Sequence, residues 1–107
     1  MKVADPAQLE AVVRPDGLVM MDLFSEPDLG FKQGTAVFAP GTHVPPGTHE
    51  QHEFSYIISG SIKVTVSGVE YRVSAGMSCH IPAGAVHESI NDGDTDCELV
   101  WNFVDDK

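Results

Sequence analysis

Basic residues are scarce in this chain. Six Lys and Arg stand against sixteen Asp and Glu, for a formal net charge of −10. A polypeptide this acidic repels phosphate backbones and anionic lipid surfaces, so neither nucleic acid nor membrane is an expected partner. No stretch approaches the ~18 consecutive apolar residues that a membrane span requires. The start, Met1-Lys2-Val3-Ala4-Asp5-Pro6, lacks the apolar region of a secretion signal, and a cytoplasmic location is expected. Cysteine is limited to Cys79 and Cys97, without metal-knuckle spacing or the density of a disulfide-stapled fold. Both read as reduced core residues, with a disulfide or a metal role as the alternative. Cys79 and His80 do not read as a nucleophile and its base, because adjacent strand residues point to opposite faces. There is no Gly-rich phosphate loop or dinucleotide fingerprint, and no Gly-x-Ser-x-Gly elbow.

Helical periodicity is nearly missing as well. Asp5-Pro6-Ala7-Gln8-Leu9-Glu10 reads as a helix of one or two turns, with Asp5 as N-cap and Pro6 at the first helical position. It ends before the turn signal Arg14-Pro15-Asp16-Gly17, and the helical period does not return. Short β-type runs follow, at 18–24, 33–39, 52–59, 61–67, 69–74, 77–81, 86–91 and 96–104. In the fourth, Ile62, Val64 and Val66 share one face and Lys63, Thr65 and Ser67 the other. Turn residues such as Ser59-Gly60, Ala75-Gly76 and Pro82-Ala83-Gly84 separate the runs.

Eight short strands at regular spacing predict an all-β sandwich or small barrel. The 107 residues, 42% hydrophobic and 21% charged, suit one globular domain. The expected division is an N-terminal extension over 1–17 and a barrel core over 33–104, with no internal repeat or linker. Asp92, Asp94, Asp96, Asp105 and Asp106 read as solvated loop and tail charges.

The residues that carry chemistry are histidines: His43, His49, His52, His80 and His87. Clustered imidazoles with a carboxylate nearby are a metal-ligand composition. On an extended segment His49, Gln51 and Glu53 form one polar row, with Glu50 and His52 on the other face. The row runs into the apolar stretch after Phe54, which puts it at the end of a buried strand, near a barrel mouth.

Spacing adds a second signal. Gly76, Pro82, Gly84, His87 and Asn91 stand in the order Gly, five residues, Pro, one, Gly, two, His, three, Asn. Gly41, His49, Glu53 and Gly60 fit the pattern Gly, five residues, His-x-His, three, Glu, six, Gly, with Gly47 at the place of the first histidine. These stretches resemble the two motifs of the cupin superfamily, with nine of ten positions matching in order.

The resemblance implies a jelly-roll barrel, a double-stranded β-helix, with a small-molecule site inside. It implies that His49, Glu53 and His87 hold one divalent metal (iron, manganese, nickel or zinc), with Gln51 or His43 as auxiliary ligands in place of the side chain that Gly47 lacks. Two imidazoles and one carboxylate are also the ligand types of non-haem Fe(II) oxygenases. Gly47 reads either as part of a simple loop after Pro45-Pro46 or as room for substrate beside the metal.

His52, Tyr56 and His80 are candidates for general acid or base. Trp101 and Phe103 share one strand face and read as core aromatics, with ligand stacking as the alternative. Only Lys63 and Arg72 are basic in the strand-rich centre, which argues against a multiply anionic substrate.

The implied activity is that of a metal-dependent enzyme on a small oxygenated substrate, with dioxygenase, isomerase, lyase or cyclase chemistry. The alternative is a non-catalytic binding or sensing protein with weak or no metal; a third reading is an interaction module. A homodimer is expected under each, since small sheets leave edges to cover.

Overall fold

Alternating burial shapes the chain into strands. The computed structural model describes Met1–Lys107 and contains β1 (Val12–Val13), β2 (Val19–Glu26), β3 (Phe31–Phe38), β4 (His43–Gly47), β5 (His52–Ser59), β6 (Ser61–Val66), β7 (Val69–Ser74), β8 (Ser78–Ile81), β9 (His87–Ile90) and β10 (Cys97–Val104). Every pairing is antiparallel. One sheet runs β1-β2-β3-β10-β5-β8 and the other β4-β9-β6-β7. This is the expected all-β jelly roll.

The expected helix is a single 3-10 turn, Pro6–Gln8, capped by the Asp5 carboxylate accepting from the Ala7 N–H at 2.9 Å. No helix is long and apolar enough to cross a membrane.

Two strands differ from the sequence expectation. β1 lies inside the segment read as an extension, where Val12 and Val13 pair with Met20 and Val19. β4 contains Pro45 and Pro46, which read as loop. Proline is tolerated there because β4 is the edge of its sheet, and its register against β9 slips between Val44 and Gly47.

The core lies between the sheets. Ala36 and Phe38 of β3, Ile57 of β5, Ile62 and Val64 of β6, and Leu99 and Trp101 of β10 are all buried. A fully buried large apolar side chain stabilises such a sandwich by roughly 1.5–3 kcal/mol.

Trp101 packs over Gly34, where a Cβ would stand 2.2 Å from its ring, and the indole N–H donates to the Thr35 carbonyl at 3.0 Å. Gly60 makes the β5–β6 turn at φ +79°, with a Cβ there meeting the Asp96 carbonyl at 2.3 Å. Asn91, which completes the second motif, is a buried tie. Its Nδ2 donates to the carbonyls of Phe38 and Thr95, each at 2.8 Å, and its Oδ1 accepts from the Gly93 N–H at 3.0 Å.

Candidate metal centre

β5 sorts its side chains by parity. Glu53, Ser55 and Ile57 point between the sheets; His52, Phe54, Tyr56 and Ile58 point away. Glu53 sits opposite Phe103 of β10 and Ile81 of β8, at one end of the interior. His49 does not lie on a strand, as the extended row predicted. It belongs to an irregular stretch between β4 and β5, pinned where the Gly84 N–H donates to its carbonyl at 2.9 Å. The same turn, closed by Ala85 N–H to the Pro82 carbonyl at 3.1 Å, delivers His87 at the start of β9.

His49, Glu53 and His87 converge, with one ligand atom from each lying within 4.8 Å of the others. The two imidazoles meet edge to face at 4.9 Å between centroids, and Phe103 packs on His49 at 4.8 Å.

Backbone carbonyls set the tautomers. His49 Nδ1 lies 2.8 Å from the Gln51 carbonyl and His87 Nδ1 lies 3.0 Å from the Ala85 carbonyl. A carbonyl only accepts, so each Nδ1 carries the proton, and a neutral ring then bears its lone pair on Nε2. Yet His49 Nε2 faces Glu53 Oε1 at 3.2 Å. Two acceptors this close repel unless a cation lies between them or the ring takes a second proton. Metal-binding imidazoles commonly show this carbonyl-anchored Nδ1. The remaining Glu53 oxygen accepts from the Ser55 hydroxyl at 3.2 Å. Two neutral nitrogens and one carboxylate fit a divalent transition metal with coordination positions open for a ligand.

The three side chains line a cavity of about 240 Å³, with Phe38, Ile57, Leu99 and Trp101 among its apolar walls. This is just below the ~300–1,000 Å³ of drug-sized sites, which suits a small molecule. Trp101 and Phe103 therefore share core and cavity roles. Cys97 is buried and free. Cys79 is free and half-buried, and lines the cavity. Burial and then the charge of Glu53 push the Cys79 thiol up, so it is a thiol rather than a thiolate at neutral pH.

Gly47 is not loop. It is the last residue of β4, opposite His87, and a Cβ there would meet nothing within 4 Å. Gly47 lines the cavity at its exposed edge, and the space where a side chain would begin is open.

Neither auxiliary ligand fills it. His43 is exposed on the outer side of β4, with Nε2 2.9 Å from Glu88 Oε2. Gln51 offers the site only its carbonyl, because chain direction changes between His49 and β5 and the polar row does not form.

The three acid–base candidates also stand outside, since even-numbered residues of β5 and β8 face away from the cavity. His52 accepts the Ala83 N–H on Nδ1, at 3.3 Å, and the His80 Nε2 lies 3.0 Å from the same nitrogen. Its Nε2 reaches Asp106 at 3.0 Å, and His80 stacks on Phe54 at 4.4 Å. Tyr56 is exposed.

The polar cavity residues absent from the expected set are Arg14, Thr48, Ser55 and Ser89. Ser55 is legible by its parity with Glu53. Arg14, brought in by the β1–β2 turn, has no local signal.

Comparison with known proteins places these features. A family model described as a cupin domain matches residues 34–103. Dimethylsulfoniopropionate lyase DddW of Ruegeria pomeroyi is 37% identical over 57 residues, 53% of this chain and 38% of that protein's length. An RmlC-like cupin from Shewanella frigidimarina superposes with a TM-score of 0.85 at 22% identity, covering 100% of this chain and 93% of that one. The polyketide cyclase RemF from Streptomyces resistomycificus gives a TM-score of 0.84 at 20% identity, over 99% and 80% of the two chains. At these identities the structural likenesses speak for the fold.

Proposed function

This chain belongs to the cupin family, and from that premise we propose that it is a metal-dependent enzyme acting on one small oxygenated organic molecule inside the barrel. The observation that supports this is the pairing of His49 Nε2 with Glu53 Oε1 at 3.2 Å while Nδ1 is committed to a carbonyl. That arrangement is favourable around a metal cation; without one it needs a second proton on the ring. His49 and His87 hold the metal through Nε2 and Glu53 through a carboxylate oxygen, with Ser55 fixing the other oxygen.

The bound metal supplies Lewis acidity toward a carbonyl, carboxyl or hydroxyl oxygen. The apolar walls would pack against the hydrocarbon part of the substrate, and Gly47 would leave a face open for it. Among reaction classes, lyase chemistry comes first, because the relative sharing 37% identity is a lyase.

One observation favours the alternative, a binding or sensing protein without catalysis. Apart from the three ligand side chains, the titratable groups lining the cavity are Arg14 and the raised Cys79 thiol, and neither is a ready proton carrier at neutral pH.

The deciding experiment is elemental mass spectrometry on the untagged chain and on H87A, after reconstitution with iron, manganese, nickel or zinc. Near-stoichiometric metal in the native chain and its loss in H87A is the expected result. Two empty proteins would sink the metal reading. The loaded chain is then incubated with dimethylsulfoniopropionate and followed by NMR. Cleavage supports the lyase reading; binding of the compound without turnover supports the alternative.

A further inference from the structure

Arg14 is the cavity's cation. Of the residues that line the space, only Arg14 and Glu53 carry formal charge with the histidines neutral. The basic side chains of the strand-rich centre are engaged elsewhere, Lys63 with Glu70 at 3.7 Å and Arg72 with Asp92 at 2.6 Å. A partly exposed side chain from the β1–β2 turn thus brings a guanidinium to the cavity of a chain whose net charge is −10.

The turn holds this arginine firmly by its backbone. Its N–H donates to the Leu18 carbonyl and its carbonyl accepts from the Gly17 N–H, each at 2.9 Å. The guanidinium is engaged on one side only. Nη2 donates to Asp16 Oδ2 at 2.6 Å, and Asp16 is itself fixed by accepting the Leu18 N–H on Oδ1 at 3.1 Å. Nη1 rests against the Met20 sulfur at 3.5 Å. A thioether is a weak acceptor, and a carboxylate oxygen would replace it with a charge-assisted hydrogen bond. The charge count points the same way. Asp16 offsets Arg14 and Glu53 adds one negative charge, so a divalent cation on the His49–Glu53–His87 group would leave these groups together at about +1, a field that still draws in an anion.

We propose that Arg14 receives the carboxylate of the bound molecule, which makes the ligand class a small organic monocarboxylate with an apolar body. This deepens the metal-dependent reading and rests on it for the location of the site.

The test uses butyrate and butyramide, which are nearly alike in shape and differ in charge. Binding to the metal-free and the zinc-loaded chain is titrated by NMR on the Met20 methyl group, which sits beside Nη1. The native chain is expected to favour butyrate by about tenfold in both states. R14Q, which keeps the backbone hydrogen bonds of the turn, is expected to lose the preference without metal and to retain only a metal-borne remainder with it. R14K, which keeps the charge but not the fork, should recover part of it.

An unchanged preference in R14Q, no preference in the native chain, or no binding of either probe would overturn the assignment. Zinc content measured on the same samples keeps the two readings apart. A chain that takes no zinc yet prefers butyrate through Arg14 retains the carboxylate site and loses the metal.

Discussion

Neither His49 nor His87 is free to choose its tautomer, because in each ring Nδ1 is spent on a backbone carbonyl two residues away in sequence. That commitment turns ordinary histidines into oriented Nε2 donors. Gly47 is the complementary residue. It lies in register with His87, lines the cavity, and has unfilled space where a side chain would begin. G47H is expected to add a third imidazole beside the existing group and to tighten zinc by about tenfold or more, toward the four-ligand sets typical of closed sites. Competition against a chromophoric chelator measures this. Unaltered affinity would mean that a side chain at residue 47 passes the ligand atoms by. Tighter zinc together with weaker small-molecule binding would show that the glycine keeps a position open for the ligand.

At the scale of elements, parity and edges govern what each strand contributes. β5 sends Glu53 and Ser55 inward and His52 and Tyr56 outward, so a histidine one residue from a ligand is remote from the chemistry. β7 contributes an outward tie instead. Arg72 grips Asp92 of the β9–β10 loop in a two-pronged pair, with Nη1 to Oδ1 at 2.7 Å and Nη2 to Oδ2 at 2.6 Å. The hydrogen bond from Arg72, reinforced by its charge, lowers the Asp92 carboxyl to about 2. A depressed carboxyl stabilises the folded chain above its ordinary, unfolded value, and that contribution is lost as pH falls through about 2. NMR titration of the Asp92 carboxyl carbon should show a midpoint near that value, and R72Q should return it toward the ordinary carboxylate range. An identical midpoint in both proteins would assign the shift to something other than the pair. Both groups are well exposed, so the effect on global stability is small.

For the whole molecule, the metal group spans both sheets. Glu53 comes from the six-stranded sheet, His87 from the four-stranded one, and His49 from the segment joining them. A ligand that bridges the sheets binds the native state and has no such site in the unfolded chain. At a free metal concentration a hundredfold above Kd the gain is about 2.7 kcal/mol. For a domain of this size that raises Tm by about 10 °C or more. Calorimetric scans with zinc and with chelator should differ by that amount in the native chain and coincide in H87A. Coincident scans of the native chain would show that the two sheets are held by their apolar core alone.

The strand periodicity, the turn residues and the two spaced motifs determined much of this protein by themselves. Alternation such as Ile62-Lys63-Val64 needs no distant information, since a strand's faces follow from its pleat. The grouping of His49, Glu53 and His87 was legible only through the resemblance to the cupin motifs, which implies it. Other features were decided only in three dimensions. Pro45 and Pro46 belong to a strand because β4 occupies a sheet edge, and edge status is a property of the assembled sheet. Gln51 leaves the site because the chain bends after Gly47 instead of continuing extended, and His43 because it stands on the outer side of β4, with Val44 turned to the cavity. Arg14 lines the cavity because β1 pairs back on β2 and β2 on β3 of the six-stranded sheet, so its place depends on the assembled sheet. Local chemistry is written in neighbouring residues; which side chains share a cavity depends on closing long loops of chain, and only the packed sheets fix that.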